Sequence, residues 1–281
     1  MKSAMNERLR DSVKKFKAER SQLYERVRQS EEFKKEKISL YDFDILCNVP
    51  VLFKLFSGKQ EHFLDTITNR TVIDIGCSNG DLGFTFSDIG FAVSLLDKSH
   101  ICSHEKNNAV RQNAPLVAKL IAKQRGTKVH VFDYNIDGSF AAAPLLEGLA
   151  QGTPENPLQR YGLGLAFGLL YHLKNPYGFM ESLTKVCDYL VIGTWIFSHL
   201  PTRLRSSANE QVVYLLKDCE YAADPTNYWL FTRKSLATLV ERCGWEIISQ
   251  TTSSNGFRSV PNKADARVFF LLKNTLATSD Y

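Results

Sequence analysis

A chain of 281 residues that is 44% hydrophobic and 23% charged has enough apolar side chains to bury a substantial core, which excludes global disorder. Its apolar runs fall short of the roughly 20 residues that cross a bilayer, and its charged amino terminus lacks an apolar signal core, so a soluble, cytoplasmic protein with no membrane partner is expected. The formal charge of +5 is local, because residues 1–37 hold 12 Lys+Arg against 7 Asp+Glu and the remainder is balanced at 23 against 23.

The opening segment has no Gly or Pro and repeats Met5, Leu9, Val13, Phe16, Leu23 and Val27 at three-, four- and seven-residue steps. It reads as one long helix with a narrow apolar stripe. Residues 1–66 are taken as an amino-terminal helical extension. Its stripe suits packing across the domain or a homodimer, and its basic residues leave contact with tRNA phosphates as the alternative. The seven interleaved acids are those of a solvated helix supported by i,i+4 pairs.

From residue 71 short β-rich runs alternate with helical stretches. Strands are expected at 71–76, 92–97, 128–133, 163–168 and 189–195, and helices near 80–88, 102–124, 139–150, 176–187 and 233–243. Alternation of this kind implies βαβ units and a parallel, doubly wound sheet. The last two strands, 245–252 and 266–273, have only a polar loop between them and read as an antiparallel hairpin. The connection at 150–161 and the stretch 196–231 are long for plain loops, and the second is read as a substrate lid.

The chemistry concentrates in VIDIGCSNGDLGF, residues 72–84. A buried strand runs into Asp74, Gly76, Ser78 and Gly80 as a helix begins near Asn79, so small residues stand where backbone must approach a ligand. Asp97 ends the next strand, placed to accept from ribose hydroxyls, and Asp133 ends the third, where an acid meets an adenine amino group. A dinucleotide fold needs G-x-G-x-x-G, which Ser78 and Leu82 interrupt, and a P-loop needs Gly-Lys-Ser/Thr, which is absent. What remains is D-x-G-x-x-x-G followed by an acid at the end of the next strand.

Over about residues 70–273 this pattern resembles the class I S-adenosylmethionine-dependent methyltransferases. The resemblance implies an α/β fold, a doubly wound, Rossmann-like, seven-stranded, mostly parallel sheet with a C-terminal antiparallel hairpin, here as a domain at 67–281. It also implies the cofactor S-adenosylmethionine, with Asp74, Gly76, Ser78 and Gly80 around the methionine part, Asp97 at the ribose, and Asp133 and Tyr134 at the adenine. Cys77, Asn79, Lys98, Leu169 and Tyr171 complete the expected cofactor set. Ser78 stands where the family has glycine.

Residues 167–176 and 224–247 resemble, more narrowly, a bacterial branch related to the tRNA wobble-uridine carboxymethyl-transferring enzymes. That resemblance implies a grip on a carboxylated cofactor by Tyr171, Arg267 and Lys35. The Trp-containing segment of those relatives is missing at 46–53, which favours ordinary methyl transfer.

For the reaction, His172 is the candidate base, since it follows the fourth strand at its carboxyl end and an imidazole pKa of about 6.5 suits the task. The alternative is a loop-packing histidine. Trp195, Tyr228 and Trp229 are candidates to line an acceptor pocket, with Asn227 and Glu220 as polar members, the alternative being that they pack and cap their segment. His100, Cys102 and His104 form an H-x-C-x-H run that no further cluster completes, so no metal is expected. Cys47, Cys77, Cys102, Cys187, Cys219 and Cys243 lack C-x-x-C spacing and read as reduced thiols. The expected function is methyl transfer to an O or N of a small-molecule acceptor, sugar-like in character. The alternatives are a tRNA wobble-uridine transferase and a catalytically silent partner protein.

Overall fold

The computed structural model describes residues 3–41, 43–102, 110–136, 160–197, 211–221, 224–254 and 265–276. By its internal contacts the chain divides into two compact units, one of residues 1–49 and 56–135 and the other of 50–55 and 136–281. The helix expected at 139–150, the loop at 150–161 and His104 lie outside the described residues, as does most of the loop before the last strand.

In chain order the helices are α1 (Ala4–Gln29), α2 (Glu31–Glu36), α3 (Val49–Leu55), α4 (Phe63–Thr66), α5 (Asp81–Asp88), α6 (Ala114–Arg125), α7 (Pro176–Leu183) and α8 (Arg233–Arg242). The strands are β1 (Thr71–Ile75), β2 (Ala92–Asp97), β3 (Ser99–Cys102), β4 (Val110–Asn113), β5 (His130–Asp133), β6 (Tyr161–Phe167), β7 (Cys187–Phe197), β8 (Val213–Leu215), β9 (Trp229–Phe231), β10 (Trp245–Ser254) and β11 (Asp265–Asn274). Among the described residues no helix is long and apolar enough to cross a membrane.

In the first unit β2 lies between β1 and β5, both parallel to it. In the second, β6 and β7 are parallel, β11 is antiparallel to β7, and β10 is antiparallel to β11. Parallel strands with interleaved helices, closed by a C-terminal antiparallel pair, form a Rossmann-like α/β architecture, as the sequence predicts. Every residue of β1 is buried, as befits a parallel strand covered on both faces.

Two local expectations are corrected. The amino-terminal helix does not run unbroken to residue 37. Ser30 takes an extended conformation between α1 and α2, its hydroxyl donating to Val27 O at 2.7 Å and accepting from Phe33 N–H, so it ends one helix and caps the next. The helix expected at 102–124 begins only at Ala114, and β3 and β4 pair antiparallel before it. Asn113 caps α6 by accepting from Leu116 N–H, and Pro115 fits its first turn but not a helix interior. The described part of 196–231 contains β8 and β9, an antiparallel pair whose second strand also runs parallel to β7 at Phe231 and Ile196.

The apolar stripe of α1 is buried within the first unit. Leu9, Phe16, Leu23 and Val27 are at most 2% exposed, and the helix packs against α5 and α6. Phe16 stacks on Phe84 of α5 at 6.4 Å, while the Arg125 guanidinium of α6 lies 4.7 Å over the Phe16 ring. The outer face carries i,i+3 ion pairs such as Glu7–Arg10 and Asp11–Lys14.

Candidate functional site

The first unit assembles the glycine turn from its strands. β1 ends at Ile75, and Gly76 N–H and Cys77 N–H both donate to Leu96 O of β2. Gly76, Ser78 and Gly80 all have positive φ, of 70°, 53° and 82°. Glycine adopts such angles freely, whereas Ser78 is held in a left-handed conformation that disfavours a Cβ by about 1–2 kcal/mol. A Cβ at Gly80 would come within 2.8 Å of Leu95, and one at Gly83 within 2.4 Å of the same side chain, so both glycines let α5 close against β2.

Asp97 at the end of β2 fixes this turn. Its carboxylate accepts from Ser78 N–H at 2.8 Å and from Lys98 N–H at 2.8 Å. Asp133 is its register partner on β5, and Tyr134 N–H donates to Asp97 O. The Asp133 carboxylate accepts from the backbone N–H and hydroxyl of Ser99. Two acids therefore stand side by side at the carboxyl ends of neighbouring parallel strands, where open α/β sheets present ligand sites.

Asp74, 4% exposed, accepts from Gly83 N–H in α5. Burial pushes its pKa up to about 7, despite that hydrogen bond. An acid whose folded pKa lies above its unfolded value of about 3.9 contributes stability at low pH. That contribution is lost between about pH 4 and 7, as the unfolded chain ionises before the native one. Asp74→Asn should therefore flatten this segment of the stability curve, as urea unfolding at pH 5 and pH 8 will reveal. An unchanged slope would mean that Asp74 is ionised in the native protein throughout. Cys77 is 2% exposed and its thiol is pushed well up by burial and the nearby Asp97 and Asp74, so it fills space beneath the turn and is no nucleophile.

The amide of Asn79 is engaged by the protein itself. Its Nδ2 donates to Tyr24 Oη at 2.9 Å and Tyr41 O at 2.8 Å, and its Oδ1 accepts from Tyr41 N–H at 3.0 Å. Sequence reasoning missed Tyr24 and Arg20. The signal available was their four-residue spacing, which sets a phenol and a guanidinium on one face of α1. Lys35 is exposed on α2.

In the second unit β6 leads into Gly168, with φ of 64°, then Leu169 and a short 3-10 turn at Leu170–His172. Tyr171 stacks on Trp195 of β7 with ring centroids 4.4 Å apart and planes 2° from parallel. Arg267 on β11 is the register partner of Trp195, and its guanidinium lies 5.3 Å from that ring. Tyr171, Trp195 and Arg267 are 4%, 6% and 4% exposed. A Cβ at Gly168 would lie 3.3 Å from Tyr171 Oη and 3.6 Å from an Arg267 Nη, so this bare backbone admits both polar ends. Tyr221, not anticipated from sequence, packs edge-on to Trp195 at 5.1 Å.

Asn227 is buried, with its Nδ2 donating to Tyr221 O, while its Oδ1 and the indole N–H of Trp195 make no hydrogen bond within the described protein. Trp229 Nε1 donates to Leu173 O, and Tyr228 N–H donates to Tyr171 O, so the aromatic segment is laced to the LYH turn. Glu220 stands apart on an exposed turn, its carboxylate accepting from Tyr214 Oη and Lys217 N–H.

His172 Nδ1 lies 3.1 Å from Thr226 O and 2.9 Å from Thr226 Oγ1. A carbonyl only accepts, and the Thr226 hydroxyl is spent on Asp224 at 2.6 Å, so Nδ1 carries the proton and Nε2 is the basic nitrogen of the neutral ring.

Residues 52–250 match the family described as a methyltransferase domain. No curated protein matches the chain in sequence. Among solved structures, the chain is similar in fold to the N-terminal domain of EvdMO1 determined in the presence of SAH and D-fucose. The TM-score is 0.53 at 14% identity, over 91% of this chain and 97% of that one. The same domain with SAH bound gives 0.51 at 14% identity over 84% and 82%. A putative S-adenosylmethionine dependent methyltransferase from Listeria monocytogenes gives 0.51 at 12% identity over 80% and 96%.

Proposed function

This chain belongs to the methyltransferase domain family, and on that premise we propose that it binds S-adenosylmethionine and transfers its methyl group to an O or N of a small, sugar-like acceptor. The observation that carries the reading is the Asp97 carboxylate, oriented by Ser78 N–H and Lys98 N–H beside a left-handed turn and next in register to Asp133. Such acceptors fit a cofactor with a ribose diol and an adenine amino group. When bound, S-adenosylmethionine supplies an electrophilic methyl carbon on sulfur. The protein's share is to align the acceptor and to take its proton.

His172 Nε2 receives that proton, with the ring held by Thr226 and Asp224. His172→Asn is expected to lower kcat about a hundredfold, at the lower end of general-base effects, with cofactor affinity unchanged. A variant that turns over at the wild-type rate would return His172 to a packing role. The neighbour studied with D-fucose suggests hexoses as the first acceptors to assay.

Calorimetry with S-adenosylmethionine and SAH tests the cofactor reading. Folded wild-type protein that binds neither would overturn it.

A second reading is favoured by one specific observation, the meeting of Tyr171 Oη and Arg267 over Gly168. A buried guanidinium beside a phenol suits an anionic group, as on a carboxylated cofactor used in carboxymethyl transfer to a tRNA wobble uridine. Mass spectrometry of ligand carried through purification separates the two, since a carboxylated cofactor is heavier than S-adenosylmethionine. Its absence, with ordinary cofactor retained, excludes the second reading.

A further inference from the structure

The expected cofactor turn is tied to two remote segments. Tyr24 of α1 donates its hydroxyl to the Asp81 carboxylate at 2.6 Å, and its oxygen accepts from Asn79 Nδ2 at 2.9 Å. Arg20, one helical turn earlier, places Nε 3.0 Å from Asp81 and Nη1 2.8 Å from Asp44. Asn79 in turn clasps both backbone groups of Tyr41. Polar contacts thus tie helix α1 and the turn at 78–81 to each other, and to Asp44 and Tyr41 respectively.

Every polar hydrogen of the Asn79 amide is spent on these contacts, so its side chain serves the turn's shape. Asp81 is 1% exposed, and an acid this deep is retained only with partners. Those partners are Arg20 and Tyr24, both from α1. Burial and the adjacent Asp81 push the Tyr24 phenol up, so the hydroxyl stays a donor at any working pH. Beside these contacts sits Ser78, held at φ 53°, a conformation a serine leaves unless its surroundings dictate it.

We propose that Tyr24, supported by Arg20 and Asp81, is a positioning residue through which the amino-terminal helix presets the turn for its nucleoside ligand. The inference rests on the cofactor reading above for the identity of the ligand. It assigns α1 a part in ligand affinity, beyond packing.

The test compares Tyr24→Phe, which deletes one hydroxyl and keeps the ring, with Ser12→Ala. Ser12 is on the same helix, is similarly buried, and bonds Thr85 O and Asp88 away from the turn. SAH is the probe, with calorimetry for its Kd, amide hydrogen exchange at residues 76–80, and urea unfolding for stability. Tyr24→Phe should raise the Kd about tenfold, the loss of one hydrogen bond to a charged group, and should speed exchange at Ser78 and Gly80. Ser12→Ala should lower stability with both readouts unchanged.

Equal Kd and equal exchange for Tyr24→Phe and wild type would overturn the proposal, as would the same shift in both variants. If Tyr24→Phe does not fold, Arg20→Gln leaves the phenol in place and is held to the same readouts. A wild-type protein that fails to bind SAH refutes the cofactor reading alone, because the exchange difference at Ser78 and Gly80 still decides whether α1 sets the turn.

Discussion

Replacing Asp97 by alanine is expected to weaken SAH binding by roughly a thousandfold while leaving the protein folded. The carboxylate accepts from Ser78 N–H and Lys98 N–H, each at 2.8 Å, and on the proposed reading also takes the ribose hydroxyls. Hydrogen bonds to a charged group contribute about 1.5–3 kcal/mol each, so losing the ribose contact and the bond that orders Ser78 removes about 4 kcal/mol. Asp97→Asn should fall between, since one amide oxygen accepts but the NH2 opposes a donor. Calorimetry with SAH measures both. An alanine variant within tenfold of wild type would show that the acid at the end of β2 does not face the ligand.

Phe16→Ala is expected to destabilise the first unit by about 3–5 kcal/mol, the range for emptying a buried aromatic site. Phe16 is 1% exposed and stacks on Phe84. Arg125 covers both rings, at 4.7 and 5.5 Å, and pairs with Asp88 at 2.7 Å, so truncation also loosens that contact. Urea unfolding followed by circular dichroism should show a lower midpoint with an unchanged slope. A loss under about 1 kcal/mol would mark α1 as a peripheral attachment. By the same reasoning, deleting α1 should abolish ligand binding by unfolding the unit that carries the turn, and should not yield a trimmed enzyme.

The strand pattern was legible because parallel strands are continuous apolar runs and their helices have a different period. Asp74, Gly76, Gly80 and Asp97 were legible because a turn with close backbone approach limits residue choice locally. The β3–β4 pair was not, since short polar strands lack a period and the start signal at Asn113-Ala-Pro115 was absorbed into a longer helical stretch. Tyr24 escaped notice because its hydroxyl meets Asp81 across 57 positions of chain, a distance at which no spacing rule operates. Similarly, Tyr171 and Arg267 were singled out by resemblance, but their meeting over Gly168 depends on the β7–β11 register that pairs Arg267 with Trp195. Local geometry writes itself into neighbouring residues, whereas side-chain contacts between segments are written only in three dimensions.

The placement of α1 also bears on how the chain is made. α1 leaves the ribosome before α5 and α6, which cover its apolar stripe and begin only at Asp81 and Ala114. At synthesis rates of about 5–20 residues per second, the stripe waits several seconds for its cover. Over that interval the charged side of the helix, which in the folded protein carries the exposed pairs Glu7–Arg10, Asp11–Lys14 and Glu25–Arg28, keeps the segment hydrated. The surplus of +5 confined to residues 1–37 lies on this same stretch, so copies of the segment repel one another while α5 and α6 are still to be made.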